Sequence, residues 1–267
     1  MNQVFFMDKA SQKQLLGQLE EAVIDSGALI KENWQNPKEI KHKGRIDLVT
    51  QTDLQIEERL KHSLGKILPE ADFLAEESAS SWKNSDLLWI IDPLDGTTNF
   101  AHSLMQVAVS VALWRKNRIE LGLIYIPLTG EIFSAKFGQG AYLNKTEIAV
   151  SQTEDLEQSL VATGFPYDIR EKSDQILPPL KEVLVNCRGV RRMGSAAIDL
   201  AYTACGRFDG YFEQGLKPWD TAAGWLMVQE AGGKVTLYSP NQEYYLQAPT
   251  ILATNGRIHN NLATLLT

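Results

Sequence analysis

The sequence has few cysteines and no long uninterrupted apolar segment. Its two cysteines, Cys187 and Cys205, lie in different predicted elements and form no C-x-x-C pair, which argues against a zinc site or a disulfide-stabilised fold. No apolar run reaches the roughly 18–20 residues that cross a bilayer. Met1–Asp8 lacks the basic region and the long apolar region of a signal peptide, so we expect a cytoplasmic protein without a membrane anchor.

An excess of basic residues is also absent, because the 267 residues carry a formal net charge of −7. This charge argues against a surface built for nucleic-acid phosphates, which is normally basic. It does not exclude a small phosphate ester held by metal ions. Hydrophobic residues make up 44% of the chain and charged residues 22%, which is typical of a folded protein with a large core.

The first half of the chain mixes helical and strand patterns. Apolar residues at helical spacing predict a helix over Ser11–Trp34, with Ser11 as a candidate cap. A second predicted helix is capped by Thr50 or Thr52. The basic segment Lys38–Arg45 between them is interpreted as a loop. The strand before Pro93 must end there, since proline offers no N–H. The predicted strands of this half are Asp72–Ala75, Leu87–Ile91, Val107–Trp114, Ile119–Ile126, Ile132–Ala135 and Ala141–Leu143.

After about residue 150 strands and helices alternate, which is typical of an α/β arrangement. The predicted strands lie near Ser159–Thr163, Gly189–Arg192, Gly210–Glu213, Gly233–Leu237 and Thr250–Ala253. The predicted helices lie near Lys172–Val185, Ala196–Cys205, Trp219–Glu230 and Ile258–Leu266. The sequence therefore predicts an α/β protein with an α+β half over residues 1–150, an α/β half over residues 151–267, and one shared function.

The strongest chemical signal is the segment Asp92–Thr97, which follows directly from an apolar strand. Its two carboxylates, Asp92 and Asp95, are three residues apart and suit a cation. The N–H groups of Gly96 and Thr97 suit a phosphate if a helical turn begins there. A plain turn is the alternative, since Asp, Pro and Gly are ordinary turn residues. The apolar strand before the segment and the threonines after it favour a site.

Two further acidic positions end or begin predicted elements. Glu76 and Glu77 follow a short strand, and side chains alternate along a strand, so we expect one of the pair, Glu76, to face the aspartates. Asp220 lies near the start of a helix that Pro218 would open. Helix capping alone would explain Asp220. The small apolar residues that follow it indicate instead a buried helix with this carboxylate at the mouth of a cleft.

Together these positions form an all-oxygen set without histidine or cysteine: Glu76, Asp92, Asp95 and Asp220. Hard oxygen ligands favour Mg²⁺ or Mn²⁺ over Zn²⁺. Without a cation such a group of carboxylates repels itself, and divalent cations remove that cost.

These motifs resemble a known family, the inositol monophosphatases. Trp89–Phe100 is similar to the first signature of the family, and Trp219–Gly233 to the second. Asp47–Asp53, Ala75–Ser78 and Gly194–Ala197 follow the family's order and spacing. The resemblance covers nearly the whole chain. It implies a layered α/β/α/β/α sandwich, a homodimer, and a lithium-sensitive phosphatase that uses Mg²⁺, with Mn²⁺ as a substitute.

The resemblance also implies roles for individual residues. Thr97, oriented by Asp53, is expected to activate the attacking water. The expected metal ligands are Glu76, Asp92, Asp95, Asp220 and the main-chain carbonyl of Leu94. The expected substrate-binding residues are Asp95, Gly96, Thr97, Arg191, Gly194, Ser195, Ala196, Glu213 and Asp220.

The expected reaction is hydrolysis of a small polyol or sugar phosphate by metal-activated water, with inositol monophosphate as the first candidate substrate. Fructose 1,6-bisphosphate, histidinol phosphate and 3′-phosphoadenosine 5′-phosphate remain alternatives for the same site. Lys217 stands where animal members of the family tend to carry histidine. A role of another class is contact with the transcription machinery through Lys38–Arg45, since some bacterial relatives assist RNA polymerase.

Overall fold

The computed structural model describes residues 9–36, 40–42, 48–78 and 85–267. The interpretation of Met1–Asp8 and the family-like residue Asp47 lie outside these ranges, as does most of the basic segment Lys38–Arg45. The part of this segment that is described, Ile40–His42, forms a strand (β1) paired with a second strand (β2, Leu48–Thr50), so the prediction of a loop throughout was wrong.

The described residues form seven α-helices and fourteen strands, with β1 and β2 as given above. The helices are α1 (Lys9–Glu32), α2 (Gln51–Ile67), α3 (Thr97–Ala101), α4 (Ile169–Asn186), α5 (Ala196–Ala204), α6 (Pro218–Glu230) and α7 (His259–Leu266). The other strands are β3 (Asp72–Ala75), β4 (Leu87–Asp95), β5 (Ala108–Arg115), β6 (Arg118–Ile126), β7 (Glu131–Lys136), β8 (Ala141–Leu143), β9 (Thr146–Ile148), β10 (Leu160–Thr163), β11 (Gly189–Arg191), β12 (Gly210–Gln214), β13 (Lys234–Thr236) and β14 (Thr250–Thr254).

Local chemistry explains where the first helices begin. α2 follows Thr50, whose backbone N–H donates to Asp53 Oδ2 at 2.9 Å. Thr50 is thus the cap of this helix rather than Thr52. α1 begins at Lys9, so Ser11 lies inside it and does not cap it. The strands β2 and β9 were not predicted from the sequence, whereas the helical turn that was left open after Asp95 is present as α3.

A seven-stranded sheet and a five-stranded sheet organise the described chain. The large sheet has the order β3-β4-β5-β6-β7-β8-β9, with only the β3–β4 pair parallel. The small sheet has the order β11-β10-β12-β14-β13, and β10 is parallel to both of its neighbours. The carboxyl ends of β3 and β4 therefore meet at one edge of the large sheet, and those of β10 and β12 meet in the small one.

Alternating burial shows that both faces of the large sheet are covered. In β4, Trp89 and Ile91 pack in a core with α1 and α2, whereas Leu88 and Ile90 pack in a second core with α5 and α6. That second core also takes in the small sheet, whose other face packs against α4 and α7. The predicted α/β/α/β/α sandwich is confirmed. No helix within the described ranges has the length and apolar character needed to cross a membrane.

Small residues bring the central helices close to the large sheet and to each other. A Cβ at Gly122 of β6 would lie 2.9 Å from the backbone oxygen of Ala223 in α6. A Cβ at Gly224 would lie 2.4 Å from Leu200 Cβ in α5. Glycine is therefore required at both places, and this packing determines where the first turn of α6 lies.

Two glycine-to-alanine changes in helices test this packing. Gly224→Ala should lower the free energy of unfolding by about 1–3 kcal/mol, because the new methyl group collides with Leu200. Gly17→Ala is the control, since a Cβ there meets no atom within 4 Å, and it should raise stability by up to about 1 kcal/mol through helix propensity. Urea unfolding measures both. Equal effects of the two changes would contradict the packing argument.

Candidate active site

One cavity of about 270 Å³ collects most of the predicted site residues. Its acidic lining consists of Glu76, Asp92, Asp95, Asp199, Glu213 and Asp220. Other lining residues include Leu94, Gly96, Thr97, Gly164, Arg192, Gly194, Ser195, Ala196 and Lys217. Every predicted metal-ligand position thus lines the same cavity, and the large sheet, α5, α6 and the small sheet all contribute to its wall.

The parallel pairing of β3 and β4 places Glu76 beside Asp92. Ala75 pairs with Ile91, and the N–H of Glu76 donates to the carbonyl of Ile91 at 3.1 Å. The Glu77 N–H is instead bonded to the buried Glu57 carboxylate at 2.8 Å. Of the two adjacent glutamates, Glu76 lines the cavity, as the alternation of strand side chains predicts.

The strand β4 does not end at Pro93, and this prediction was wrong. The strand continues to Asp95 through a bulge, because Asp92 pairs with Ser110 but Asp95 pairs with Ala108. A proline is accommodated at a bulge because the ladder is already interrupted there. The extra residue in the bulge brings Asp92, Leu94 and Asp95 to the same cavity.

The carboxyl groups are buried close to one another, which changes their acidity. The pKa of Asp92 is raised well above its usual range by burial and by the neighbouring Glu76, Asp95 and Asp220. Burial, with Asp95 and Glu76 beside it, also raises the pKa of Asp220. Burial raises the pKa of Asp95 to about 6 although Ser195 and Ala197 donate hydrogen bonds to it. A bound cation would favour the charged forms of all these groups.

A divalent cation fits this donor set, because carboxylate and carbonyl oxygens are the ligands that Mg²⁺ prefers. In the part of the chain that the structure describes, no three acidic, histidine or cysteine side chains already form a metal-binding group. The carboxyl groups that could hold an ion nevertheless share one cavity.

Thr97 and Asp53 form a buried pair behind the metal-ligand positions. The Thr97 hydroxyl lies 3.0 Å from Asp53 Oδ1 and 3.2 Å from the Leu94 carbonyl oxygen, and its single proton can be donated to one of them at a time. Asp53 is held by the backbone N–H and the hydroxyl of Thr50, and burial raises its pKa. When Thr97 donates to Asp53, the Thr97 oxygen is free to accept a hydrogen bond from a water molecule.

The start of α5 holds Asp95 from the other side of the cavity. Ser195 Oγ donates to Asp95 Oδ2 at 2.6 Å, and the N–H of Ala197 donates to the same oxygen at 2.7 Å. The Asn99 amide donates to the carbonyl oxygens of Gln106 at 2.7 Å and Met193 at 2.8 Å, which ties this loop to the first half of the chain. The segment before α5 therefore has a defined position relative to the metal-ligand positions.

Glu213 forms the wall of the cavity at the end of β12. The Tyr211 hydroxyl donates to it, yet burial raises its pKa to about 7. Gly164, just after β10, lies beside it, and a Cβ at that position would be 2.1 Å from Glu213 Oε2. The carboxylate thus fills the space that a side chain at position 164 would occupy.

The structure does not bring Arg191 to the cavity. Its guanidinium donates to the backbone carbonyl of Val190 at 3.1 Å, whereas the next residue, Arg192, lines the cavity. Successive side chains at the end of β11 point to opposite sides, which explains why Arg192 rather than Arg191 reaches the cavity. Sequence reasoning also missed Asp199, although its position on a predicted helix, three residues after the predicted substrate-binding residue Ala196, was a signal that it faces the same way.

Comparison with known proteins shows which family the chain resembles. The chain matches the inositol monophosphatase family over residues 11–267. It is 44% identical to an inositol-1-monophosphatase of Synechocystis over 250 residues, covering 92% of this chain and 86% of that protein. It is 41% identical to Nus factor SuhB of Escherichia coli over 236 residues, covering 87% and 88%.

The fold is also similar to that of a solved structure. The crystal structure of extragenic suppressor protein suhB from Bartonella henselae matches with a TM-score of 0.90 at 36% identity, covering 95% of this chain and 98% of that chain. The motifs at β4 and α6, the layered fold and these matches together show that this chain belongs to the inositol monophosphatase family.

Proposed function

We propose that the protein is a Mg²⁺-dependent phosphatase of small polyol and sugar monophosphates, with inositol monophosphate as the first candidate. The observation that carries this proposal is the convergence of Glu76, Asp92, Leu94, Asp95 and Asp220 on one cavity beside the Thr97–Asp53 pair. Family membership supports phosphatase chemistry. The similarity to an inositol-1-monophosphatase supports this substrate.

The chain's own residues would divide the work of hydrolysis as follows. The four carboxylates and the Leu94 carbonyl would hold magnesium, which when bound neutralises phosphate charge and lowers the pKa of a water molecule. Thr97 would take a proton from the attacking water and pass its own hydroxyl proton to Asp53, so that the Asp53 carboxylate is the final acceptor. Glu213 and the segment Gly194–Ala196 would orient the leaving alcohol. Phosphoryl transfer needs mainly such positioning and charge neutralisation.

A panel of phosphate esters tests the proposal. With Mg²⁺ we expect phosphate release from inositol 1-phosphate and glycerol 2-phosphate to exceed release from fructose 1,6-bisphosphate, histidinol phosphate and 3′-phosphoadenosine 5′-phosphate. EDTA should abolish release, and lithium should inhibit it. If another ester releases phosphate fastest, the proposed site stands and the proposed substrate changes. Absence of release from every ester would contradict the proposed function.

Asp92→Asn tests the metal-ligand assignment. The change removes one of the four carboxylates proposed to hold the ion, so turnover should fall by about 10²–10³-fold while the fold is kept. In thermal unfolding, Mg²⁺ should raise the melting temperature of the unmodified protein but have little effect on this variant. Asp86→Asn, an exposed acid just before β4, is the control and should behave like the unmodified protein. Full activity of Asp92→Asn in magnesium would show that the assignment is wrong.

Thr97 is tested by two substitutions that separate the hydroxyl from the shape. Thr97→Val keeps the shape and loses the hydroxyl, so kcat should fall by about 10²–10⁴-fold with KM changed much less. Thr97→Ser keeps the hydroxyl and its bond to Asp53, and should retain most activity. Steady-state kinetics on inositol 1-phosphate measures both. Equal losses in the two variants would point to packing rather than proton transfer.

We also propose that the protein contacts the transcription machinery, as a second role. The similarity to Nus factor SuhB supports this role. Co-purification with RNA polymerase tests it, and Asp92→Asn should not weaken the association if the active site is not involved. The expected homodimer is a further proposal, and sedimentation of the purified protein measures it.

A further inference from the structure

One buried carboxyl group in the cavity has no part in the hydrolysis proposed above. Asp199 is 1% exposed and lines the cavity from the first turn of α5. It follows Ala196, another residue that lines the cavity, by three residues, so both lie on the same face of the helix. Among the described residues, no donor lies within hydrogen-bond distance of its Oδ1. A buried polar atom without a partner is uncommon and needs an explanation, of which a ligand is one.

The charged groups that act on Asp199 belong to the same cavity. Burial raises its pKa well above the usual range, Glu213 and Asp95 raise it further, and Arg192 lowers it. Asp199 and Glu213 therefore place two acidic groups close to each other in the cavity, near Asp95 and Arg192. A second phosphate group would be repelled there by any negative charge on them. A hydroxyl group can pair with a carboxyl group in either protonation state.

We propose that Asp199 is a specificity-determining residue that, together with Glu213, binds hydroxyl groups of an uncharged, hydroxyl-rich leaving alcohol. This inference rests on the proposed phosphatase function and deepens it by naming the substrate class. Asp199 forms and breaks no bond in the reaction. It favours neutral polyol phosphates over esters that carry a second phosphate group, and over esters whose alcohol lacks hydroxyl groups.

The test compares two esters that differ only in hydroxyl groups, inositol 1-phosphate and cyclohexyl phosphate. Asp199→Ala should reduce the ratio of their kcat/KM values about tenfold, the effect expected for loss of a hydrogen bond to a buried polar group. The loss should fall on inositol 1-phosphate, and cyclohexyl phosphate should change by less than about threefold because it has no hydroxyl group to bind. Asp199→Leu, which fills the space with an apolar side chain, should give the same change if the alanine variant does not fold.

A second buried acid separates specificity from stability. Asp209 is 7% exposed and accepts hydrogen bonds from Ser151 Oγ at 2.6 Å and from the Leu160 N–H at 2.7 Å, and it does not line the cavity. Asp209→Asn should lower the melting temperature and leave the substrate ratio unchanged.

Three results would overturn the proposal. The first is an unchanged ratio in both Asp199→Ala and Asp199→Leu while each hydrolyses both esters. The second is a larger loss of kcat/KM for histidinol phosphate than for inositol 1-phosphate in the variant Asp199→Asn. That result would show that Asp199 recognises a cationic alcohol. The third is an unmodified protein that hydrolyses neither ester, which would overturn the phosphatase function as well and would be seen before any variant is compared.

Discussion

The burial of several carboxyl groups in one cavity is the constraint on which the rest of the site depends. Asp92 is 1% exposed, and Glu76, Asp95 and Asp220 lie close enough to raise its pKa. Burial and like charge both oppose ionisation, so the charged forms need a compensating cation. A chain without metal chemistry would gain stability by replacing these acids with apolar residues. Their presence at the ends of three elements is the physical reason to infer a metal-dependent site.

Strand pairing and a bulge place these groups together. The parallel pair β3–β4 delivers Glu76 next to Asp92, and the bulge at Pro93 brings Asp95 to the same side. The sequence predicted the strands and the acids that follow them, because apolar runs and punctuating residues are local signals. It did not predict that β4 continues through Pro93, because a bulge depends on the partner strand β5, which lies elsewhere in the sequence.

The positions that sequence reasoning missed depend on contacts between distant segments. Gly164 is required because β10 and β12 pair in a register that puts Glu213 against it, and no local pattern reports that register. The exchange of Arg191 for Arg192 is an error of one residue at the end of a short strand, where side-chain direction reverses at every step. The local motif around Thr97 was more informative. There the sequence resemblance paired Thr97 with Asp53, and the structure shows their hydrogen bond.

The start of the helix α5 links Asp95 to Asp199. The cap residue Ser195 and the N–H of Ala197 donate hydrogen bonds to Asp95, and Asp199 lies in the first turn that follows. A helix rises about 1.5 Å per residue, so this single turn sets a short distance between the two acids. Gly224 lets α6 pack directly against α5. α6 begins at Pro218 and Asp220 is its third residue, so the same packing positions Asp220. Asp220 and Asp199 are therefore placed by one pair of helices, and a change in the packing of α5 against α6 would alter both positions together.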